Sequence, residues 1–247
     1  MVLRPRLAAT FVFATLAGCR APNTPAAIDP ALAARVPAST GVLAGVDLDR
    51  LRGSPLHAKL PPAARAFLTP FAAAHRVLIA ATGGELLVIA RGTVAGATQL
   101  APDLALYGAP SLIAAATAAH PAAAILSPAA TVGANPLWMA IRGGVALPLE
   151  GNLANLNNLL RDTESVTITL QPTDPAKLEL LARCPSAAAA THFEQSLRAV
   201  VSLAAASNAR EPAIAAALES TAIDRDQSVV RVALSARLDT FAQWLAP

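Results

Sequence analysis

Apolar and polar residues alternate with a period of two in several short segments, and this pattern predicts strands. Residues 166–170 alternate cleanly, which predicts one buried and one wet face. Residues 177–184 do the same, placing Leu178, Leu180, Ala182 and Cys184 on one buried face. The predicted strands are residues 41–48, 76–81, 85–91, 104–107, 137–142, 166–170, 177–184, 222–223 and 229–234.

Other segments repeat their apolar residues with helical spacing, and these predict helices between the strands. Proline at a first turn or serine at a cap favours several of the helix starts, among them Pro110 and Ser186. The predicted helices are a short helix capped by Asp47 or Asp49, a stretch from residue 61, residues 110–119, 152–161, a long helix after 186, 212–218 and 239–245.

Gly83 and Gly84 separate two predicted strands by two residues. Glycine adopts positive φ without steric cost, so this pair predicts a tight hairpin.

The order of these elements is similar in the two halves of the chain. Each half reads β-α-β-β-(α)-β-β-α, and the bracketed helices are reduced to a loop around 93–98 in the first half. Runs of strands with interposed helices are typical of the α+β class. We therefore predict two tandem α+β modules, with antiparallel sheets and helices packed on one face.

The predicted domain boundaries follow shifts in composition. Residues 1–18 are a predicted signal peptide, and residues 19–40, rich in Pro and Ala, are a predicted tether in which a short helix can start at Pro30. The first module covers 41–120, a proline-containing connector covers 121–136, and the second module covers 137–247.

The N-terminus carries Arg4 and Arg6, then an apolar run, then Leu16-Ala17-Gly18-Cys19. This layout is typical of a secretory signal. Its end resembles the lipobox of bacterial lipoproteins, which implies that Cys19 is acylated and becomes the mature N-terminus. The alternative is an ordinary signal peptide with a cysteine nearby. By analogy with lipoproteins, Arg20 after the cysteine favours the outer membrane, facing the periplasm.

Three further stretches are similar to a group of uncharacterised bacterial lipoproteins: Leu87-Val88-Ile89-Ala90-Arg91-Gly92, Leu137-Trp138-Met139-Ala140-Ile141-Arg142-Gly143 and Gly151-Asn152-Leu153-Ala154-Asn155-Leu156. The resemblance implies a duplicated α+β fold over most of the chain after Gly41. These motifs are core and turn residues, so the resemblance implies no catalytic residue.

The charge balance argues against a nucleic-acid partner. Loss of residues 1–18 removes Arg4 and Arg6 from the 19 basic residues and none of the 16 acidic ones, leaving 17 against 16. The basic residues are scattered and form no stripe of the kind that binds nucleic acid.

The sequence shows no constellation of catalytic or metal-binding residues. Cys184 remains as a lone thiol, predicted to be buried and inert. The four histidines (His57, His75, His120 and His192) lack the i, i+4 spacing of a helical metal site. We predict no catalytic site, no metal and no cofactor.

One polar cluster stands out on the predicted helix 152–161. Asn152, Asn155 and Asn158 share a side opposite the leucines, and asparagine is a mediocre helix former. One interpretation is a helix cap and a solvated face. The other is a speculative binding row of amides for a glycan or another backbone.

The sequence therefore predicts a membrane-anchored, non-enzymatic protein of the cell envelope that acts as a scaffold or protein-interaction domain. Its partners are the membrane, through the lipid on Cys19, and an envelope protein. The alternative is a binder or carrier of an apolar ligand such as lipid, since helices over a sheet can leave an apolar cavity.

Overall fold

The structure is a computed structural model that describes residues 28–118, 120–147 and 156–244. In these ranges the chain forms a mixed α+β fold around one antiparallel sheet of 10 strands. The strands are β1 (Val42–Asp47), β2 (Ala74–Thr82), β3 (Glu85–Gly92), β4 (Thr98–Ala101), β5 (Leu104–Gly108), β6 (Leu137–Arg142), β7 (Ser165–Gln171), β8 (Ala176–Arg183), β9 (Ala222–Asp226) and β10 (Val229–Ala236).

Helices connect or flank the strands. They are α1 (Pro30–Ala33), α2 (Leu48–Arg52), α3 (Pro55–Lys59), α4 (Pro62–Leu68), α5 (Pro110–Thr117), α6 (Leu126–Ala130), α7 (Leu156–Arg161), α8 (Ala187–Ser207), α9 (Pro212–Glu219) and α10 (Leu238–Trp244), with a 3-10 turn at Thr69–Phe71. Ser186 caps α8 by accepting a hydrogen bond from the Ala189 amide, as the sequence predicts.

The strand order across the sheet is β4-β5-β3-β2-β1-β6-β7-β8-β10-β9. The first five strands of the chain fill one half of the sheet and the last five fill the other. The halves meet where β1 pairs with β6, with Leu43 opposite Ala140. The sheet is therefore continuous through the centre of the molecule.

One face of the sheet, the helix-covered face, carries helices along both halves. In the first half, Phe71 and residues of α2 and α3 pack on Val77 and Val88. In the second half, residues of α7 and α8 pack on side chains of β6 to β10 such as Val166 and Val230. These contacts place two of the three hydrophobic clusters on this face.

The opposite face is covered in the first half. Leu32 of α1, Leu112 of α5 and Ala129 of α6 cluster there with Leu87 and Ile89 of β3. The prediction that helices pack on one face is therefore wrong for this half. Strand β3 has apolar side chains on both sides, and burying both requires helices on both sides.

The predicted element types agree with the structure in most segments. The structure adds α3, then β4 where the predicted loop around 93–98 ends, and α6 in the predicted connector. The two sheets that the sequence predicts form one continuous sheet, because β1 and β6 are hydrogen-bonded to each other.

The folded body starts before Gly41. Leu32 and Val36 are buried in the cluster on the β3 side of the sheet, so the second part of the predicted tether packs on the body. Gly83 and Gly84 have φ values of 56° and 97°, which confirms the predicted hairpin turn. No helix in the described ranges has both the length and the apolar character of a membrane span.

Candidate functional site

The second half of the sheet leaves part of one face uncovered, and this surface is the candidate site. We call it the open face. It is made of Thr167, Thr169, Glu179, Leu181, Arg183, Arg231, Ala233 and Asp224, which lie on β7, β8, β10 and β9. These residues point to the side opposite α8, because side chains alternate along each strand.

One row of paired residues shows how the character of this face changes across the sheet. The row runs Leu106, Ile89, Leu78, Gly45, Trp138, Thr169, Glu179, Ala233. Its first members are buried aliphatic residues, whereas Glu179 and Ala233 are exposed. The change from apolar to polar falls at the strand pair β6–β7, directly after the border between the halves, and the change from buried to exposed falls at β7–β8.

A wall stands along one side of the open face, formed by the end of α6 and the loop that follows. Thr131, Val132 and Asn135 of this wall line the same cavity as the strand residues. Asn135 accepts a hydrogen bond from the Gln171 side chain, and Arg50 donates to the Ala134 carbonyl over 2.9 Å. These bonds fix the loop to both halves of the sheet.

The wall also explains a difference from the sequence prediction for β7. Thr167 and Thr169 were expected on a wet face, yet they are only 5% and 7% exposed. Helix α6 contacts β7 and covers part of them. The open face is therefore buried at Thr167 and Thr169 on β7 and becomes exposed towards β10.

The charged residues of the open face have no fixed partners within the described part of the chain. Glu179, Arg183, Asp224 and Arg231 make no side-chain hydrogen bond or salt bridge there, although Asp224 is directly opposite Arg231. These four side chains are exposed, so their hydrogen-bonding groups are accessible to a ligand.

The cavity over the open face has a volume of about 460 Å³. A second cavity of about 270 Å³ lies beside it, between β1, β2 and the wall, and includes Asp47, Arg76 and Trp138. The two cavities share Asn135. The two cavities are therefore neighbours at the wall.

The chemistry of the open face suits binding. Its residues offer carboxylates, guanidinium groups, hydroxyls and an amide, which hydrogen-bond a polar ligand in both directions. Its lining residues include no His, Cys or Ser, whereas threonine hydroxyls and carboxylates are present.

Cys184 lies on the other side of the sheet, as predicted. It is 3% exposed and packs in the cluster under α8. Burial raises the pKa of the thiol, and the negative charges of Asp162 and Glu164 act in the same direction. A raised pKa disfavours the thiolate, which is the reactive form.

The histidines are dispersed. His75 and His192 each lie 2.9 Å from a carboxylate oxygen, of Asp49 and Asp162 respectively, on exposed surface. His57 is on α3, and His120 contacts the Pro121 carbonyl. Within the described ranges, no group of three or more His, Cys, Asp or Glu side chains is placed to hold a metal ion.

Of the three asparagines in the predicted binding row, only Asn158 lies in the part of the chain that the structure describes. Asn152 and Asn155 lie outside the described residues, as does the predicted lipidation site Cys19. Asn158 is exposed on α7. Its neighbour Asn157 bonds both the amide and the carbonyl of Leu147, at 2.8 and 3.0 Å, so this amide fastens a loop.

Sequence reasoning did not find the open face. Its residues come from four strands spread over the chain from Thr167 to Ala233, and each strand pattern indicates only that one side is polar. A usable signal was present in the second half, since β8 places Lys177, Glu179 and Arg183 on one side and β10 places Arg231 and Ser235 on one side. Only the strand order shows that these charges share one surface.

No family model matches this chain, and no curated protein matches it. Two solved structures are similar to it in fold. "Structure of crystal form III of TP0453" matches with a TM-score of 0.53 and 9% identity, covering 87% of this chain and 97% of that chain. "Structure of crystal form I of TP0453" matches with a TM-score of 0.53 and 10% identity, covering 88% and 97%. At this identity the likeness concerns the fold alone.

Proposed function

We propose that this chain is a lipid-anchored protein of the cell envelope that presents the open face to a protein partner and catalyses no reaction. One observation carries the proposal. The structure covers one face of the sheet along both halves but leaves part of the opposite face bare in the second half, with unpaired charges on it.

The position of the anchor supports this function. The chain from Cys19 to Ile28 spans at most about 30 Å when extended. Ile28 lies next to Gly133, which belongs to the loop of the wall. A lipid on Cys19 would thus hold the open face near a membrane surface, on its periplasmic side if the anchor is in the outer membrane. Lasting attachment requires two or more acyl chains.

The membrane part of the proposal is tested by replacing Cys19. We expect the parent protein to sediment with membranes, and Cys19→Ser to remain unprocessed or to be released. Membrane-bound and processed Cys19→Ser would remove the anchor from the proposal.

The partner part is tested by photo-crosslinking in intact cells. A photoreactive residue replaces Ala233, which is exposed on the open face, or Ala66, which is exposed on α4 as a matched control. We expect a discrete protein adduct from position 233 alone, and its loss when Arg231→Glu is added. Equal adducts from both positions would contradict a specific site.

The two halves also support a proposal about the plan of the fold, namely an internal duplication. Counted outwards from the centre, the halves read β1-β2-β3-β5-β4 and β6-β7-β8-β10-β9, which is the same order. The test is an experimental structure in which one superposition should align all strands of one half on the other. Alignment of fewer than four strand pairs would argue against a duplication.

A carrier of an apolar ligand is the second candidate, and one observation favours it. On the helix-covered face, Ile168, Leu170, Leu178, Leu180 and Leu234 are only half-buried. A carrier should co-purify with stoichiometric lipid that mass spectrometry detects. If the protein is lipid-free and still forms the adduct at position 233, the carrier function is excluded and the scaffold function remains.

A further inference from the structure

Strand β9 forms one end of the sheet, and its outer edge has backbone groups available for pairing. Asp226 and Val229 flank the two-residue turn to β10, so they form a hydrogen-bonded pair. Pairs alternate along an antiparallel ladder, and Ile223 and Arg225 therefore direct their N–H and C=O groups outwards.

A side chain of α8 meets this edge. Arg198 donates to the Ile223 carbonyl over 2.5 Å and to Glu194 over 2.9 Å, and Arg225 donates to Glu194 over 3.0 Å. Arg198 confirms that the Ile223 carbonyl faces outwards. It occupies one acceptor of the edge, while the amides of Ile223 and Arg225 have no partner within the described residues.

A cavity of about 310 Å³ opens beside the same edge. It lies between α8, α9 and the start of β9. Its apolar lining is Val201, Ala205, Leu218 and Ile223, and polar residues that include Arg198 and Glu219 line its rim. Ile223 points to the helix-covered side, so a residue paired with it on an added strand would place its side chain over this cavity. The cavity suits an aliphatic side chain.

The other side of the edge is acidic. Asp224 and Asp226 point towards the open face, and neither has an ion-pair partner within the described ranges. A second copy of β9 cannot satisfy them. Two antiparallel β9 strands can join outward-facing residues in three registers: Ile223 with Arg225 puts Asp224 against Asp224, and Arg225 with Arg225 puts Asp224 against Asp226. Ile223 with Ile223 puts Asp224 against Ala222, which leaves the carboxylate without a cation. Like charges directly opposite are destabilising.

We propose that the β9 edge binds an extended segment of another protein that reads basic, polar, basic, apolar and adds to the sheet as an antiparallel strand. The two basic residues face Asp226 and Asp224, and the apolar residue enters the cavity beside Ile223. Backbone pairing gives the affinity and the alternate side chains give the selectivity. Arg198 leaves the Ile223 carbonyl and stays paired with Glu194. The inference goes beyond the proposed function and stands without the lipid anchor.

The direct test uses the soluble protein with Cys19→Ser and a short peptide probe, acetyl-TKTKLT-amide. Titration followed by amide NMR spectra of labelled protein should shift the signals of residues 222–226. The scrambled peptide acetyl-TKKLTT-amide puts its lysines on opposite sides of a strand and should bind about tenfold more weakly. The peptide acetyl-TETELT-amide should not bind.

Two sets of variants separate backbone pairing from charge. Proline lacks an N–H and is tolerated on edge strands, so Arg225→Pro should fold but lose peptide binding, whereas Arg225→Ala should keep it. Asp224→Asn with Asp226→Asn should weaken binding about tenfold. Glu85→Gln removes a charge from β3, in the other half of the sheet, and should leave affinity within about twofold.

Three results would overturn the inference: equal binding of the scrambled peptide, unchanged binding to a folded Arg225→Pro protein, or self-association through β9 in sedimentation experiments. If Arg225→Pro does not fold, the peptide affinity of the variant with Asp224→Asn and Asp226→Asn provides the test. None of these results bears on membrane attachment or on the adduct at position 233, so failure here is distinct from failure of the proposed function.

Discussion

The two halves of the sheet have the same strand order, but they differ on one face. Helices cover this face in the first half and leave part of it bare in the second. In the first half, Leu106, Ile89 and Leu78 form a cross-strand row that α1, α5 and α6 help to cover. In the second half the same row continues as Thr169, Glu179 and Ala233. A common backbone plan thus supports a three-layer core on one side and a two-layer structure with a free polar face on the other.

The polarity of the side chains, and not the strand order, therefore determines whether helices cover this face of the sheet. An apolar row must be buried to stabilise the fold, at about 25 cal/mol per Å² of apolar surface removed from water. The face that carries Glu179 and Arg231 would lose hydration if it were covered without partners. The second half is therefore stable with this face bare, and the bare face is available for binding.

The largest expected effect concerns the reactivity of thiols on the two sides of the second half. In a Cys19→Ser background, Cys184 lies beneath α8 and must await an opening of the domain before it reacts. We expect its alkylation to be slowed about a thousandfold or more relative to denatured protein. In Ala233→Cys the added thiol should react at once. The measurement is mass spectrometry over time, and rapid native labelling of Cys184 would place it on the wrong side of the sheet.

The second prediction compares large-to-small substitutions in the two halves. Ile89 is fully buried, so Ile89→Ala should lower the free energy of unfolding by about 3 to 4 kcal/mol. Leu181 is half-exposed on the open face, and Leu181→Ala should cost about 1 kcal/mol or less. Urea denaturation measures both. Equal losses would mean that the open face is covered in solution, for example by association.

The third prediction concerns the border between the halves. A Cβ atom on Gly45 would lie 2.2 Å from Cε2 of Trp138, so the indole lies flat on this glycine. Gly45→Ala should destabilise the protein by about 1 to 3 kcal/mol through overpacking.

Gly53 supplies the matched control, because its Cβ would meet nothing closer than 3.6 Å and its φ is −78°. Gly53→Ala should change stability by less than about 1 kcal/mol. If Gly45→Ala is equally mild, the indole does not rest on Gly45 and the packing at the border is different.

The smallest expected effect is a dependence on pH at the outer edge of the second half. The hydrogen bond from Arg198, followed by that from Arg225, lowers the pKa of Glu194. A lowered folded-state pKa gives stability that is present above the unfolded-state pKa of the carboxyl group. That stability is lost as the pH falls through the folded-state value.

Glu194→Gln should therefore lower the urea midpoint slightly at neutral pH, and the gap to the parent should close below about pH 4. Glu179→Gln is the comparison, since Glu179 has no partner within the described ranges and should show no such gap. A gap for Glu194→Gln that persists in acid would show that packing, not charge, is responsible.

Much of the fold was predictable from local pattern. Alternation in 177–184 placed Cys184 on the buried side, Gly83 and Gly84 marked the hairpin, and Ser186 marked the start of α8. Strand β4 and helix α6 were missed, because Thr98–Ala101 is too short to show a period and 121–136 is dominated by Ala and Pro. The burial of Thr167 and Thr169 was missed for the same reason, since α6 covers them.

The sequence by itself determined the class of the fold, the positions of most strands and the amphipathic character of each one. These are properties of a few consecutive residues, where sterics and side-chain alternation act directly. Only the tertiary structure decided that β1 pairs with β6 to make one sheet, and that Glu179, Arg231 and Asp224 share one surface. Those facts depend on which distant strands become neighbours, because pairing energy comes from cross-strand contacts that no local segment contains.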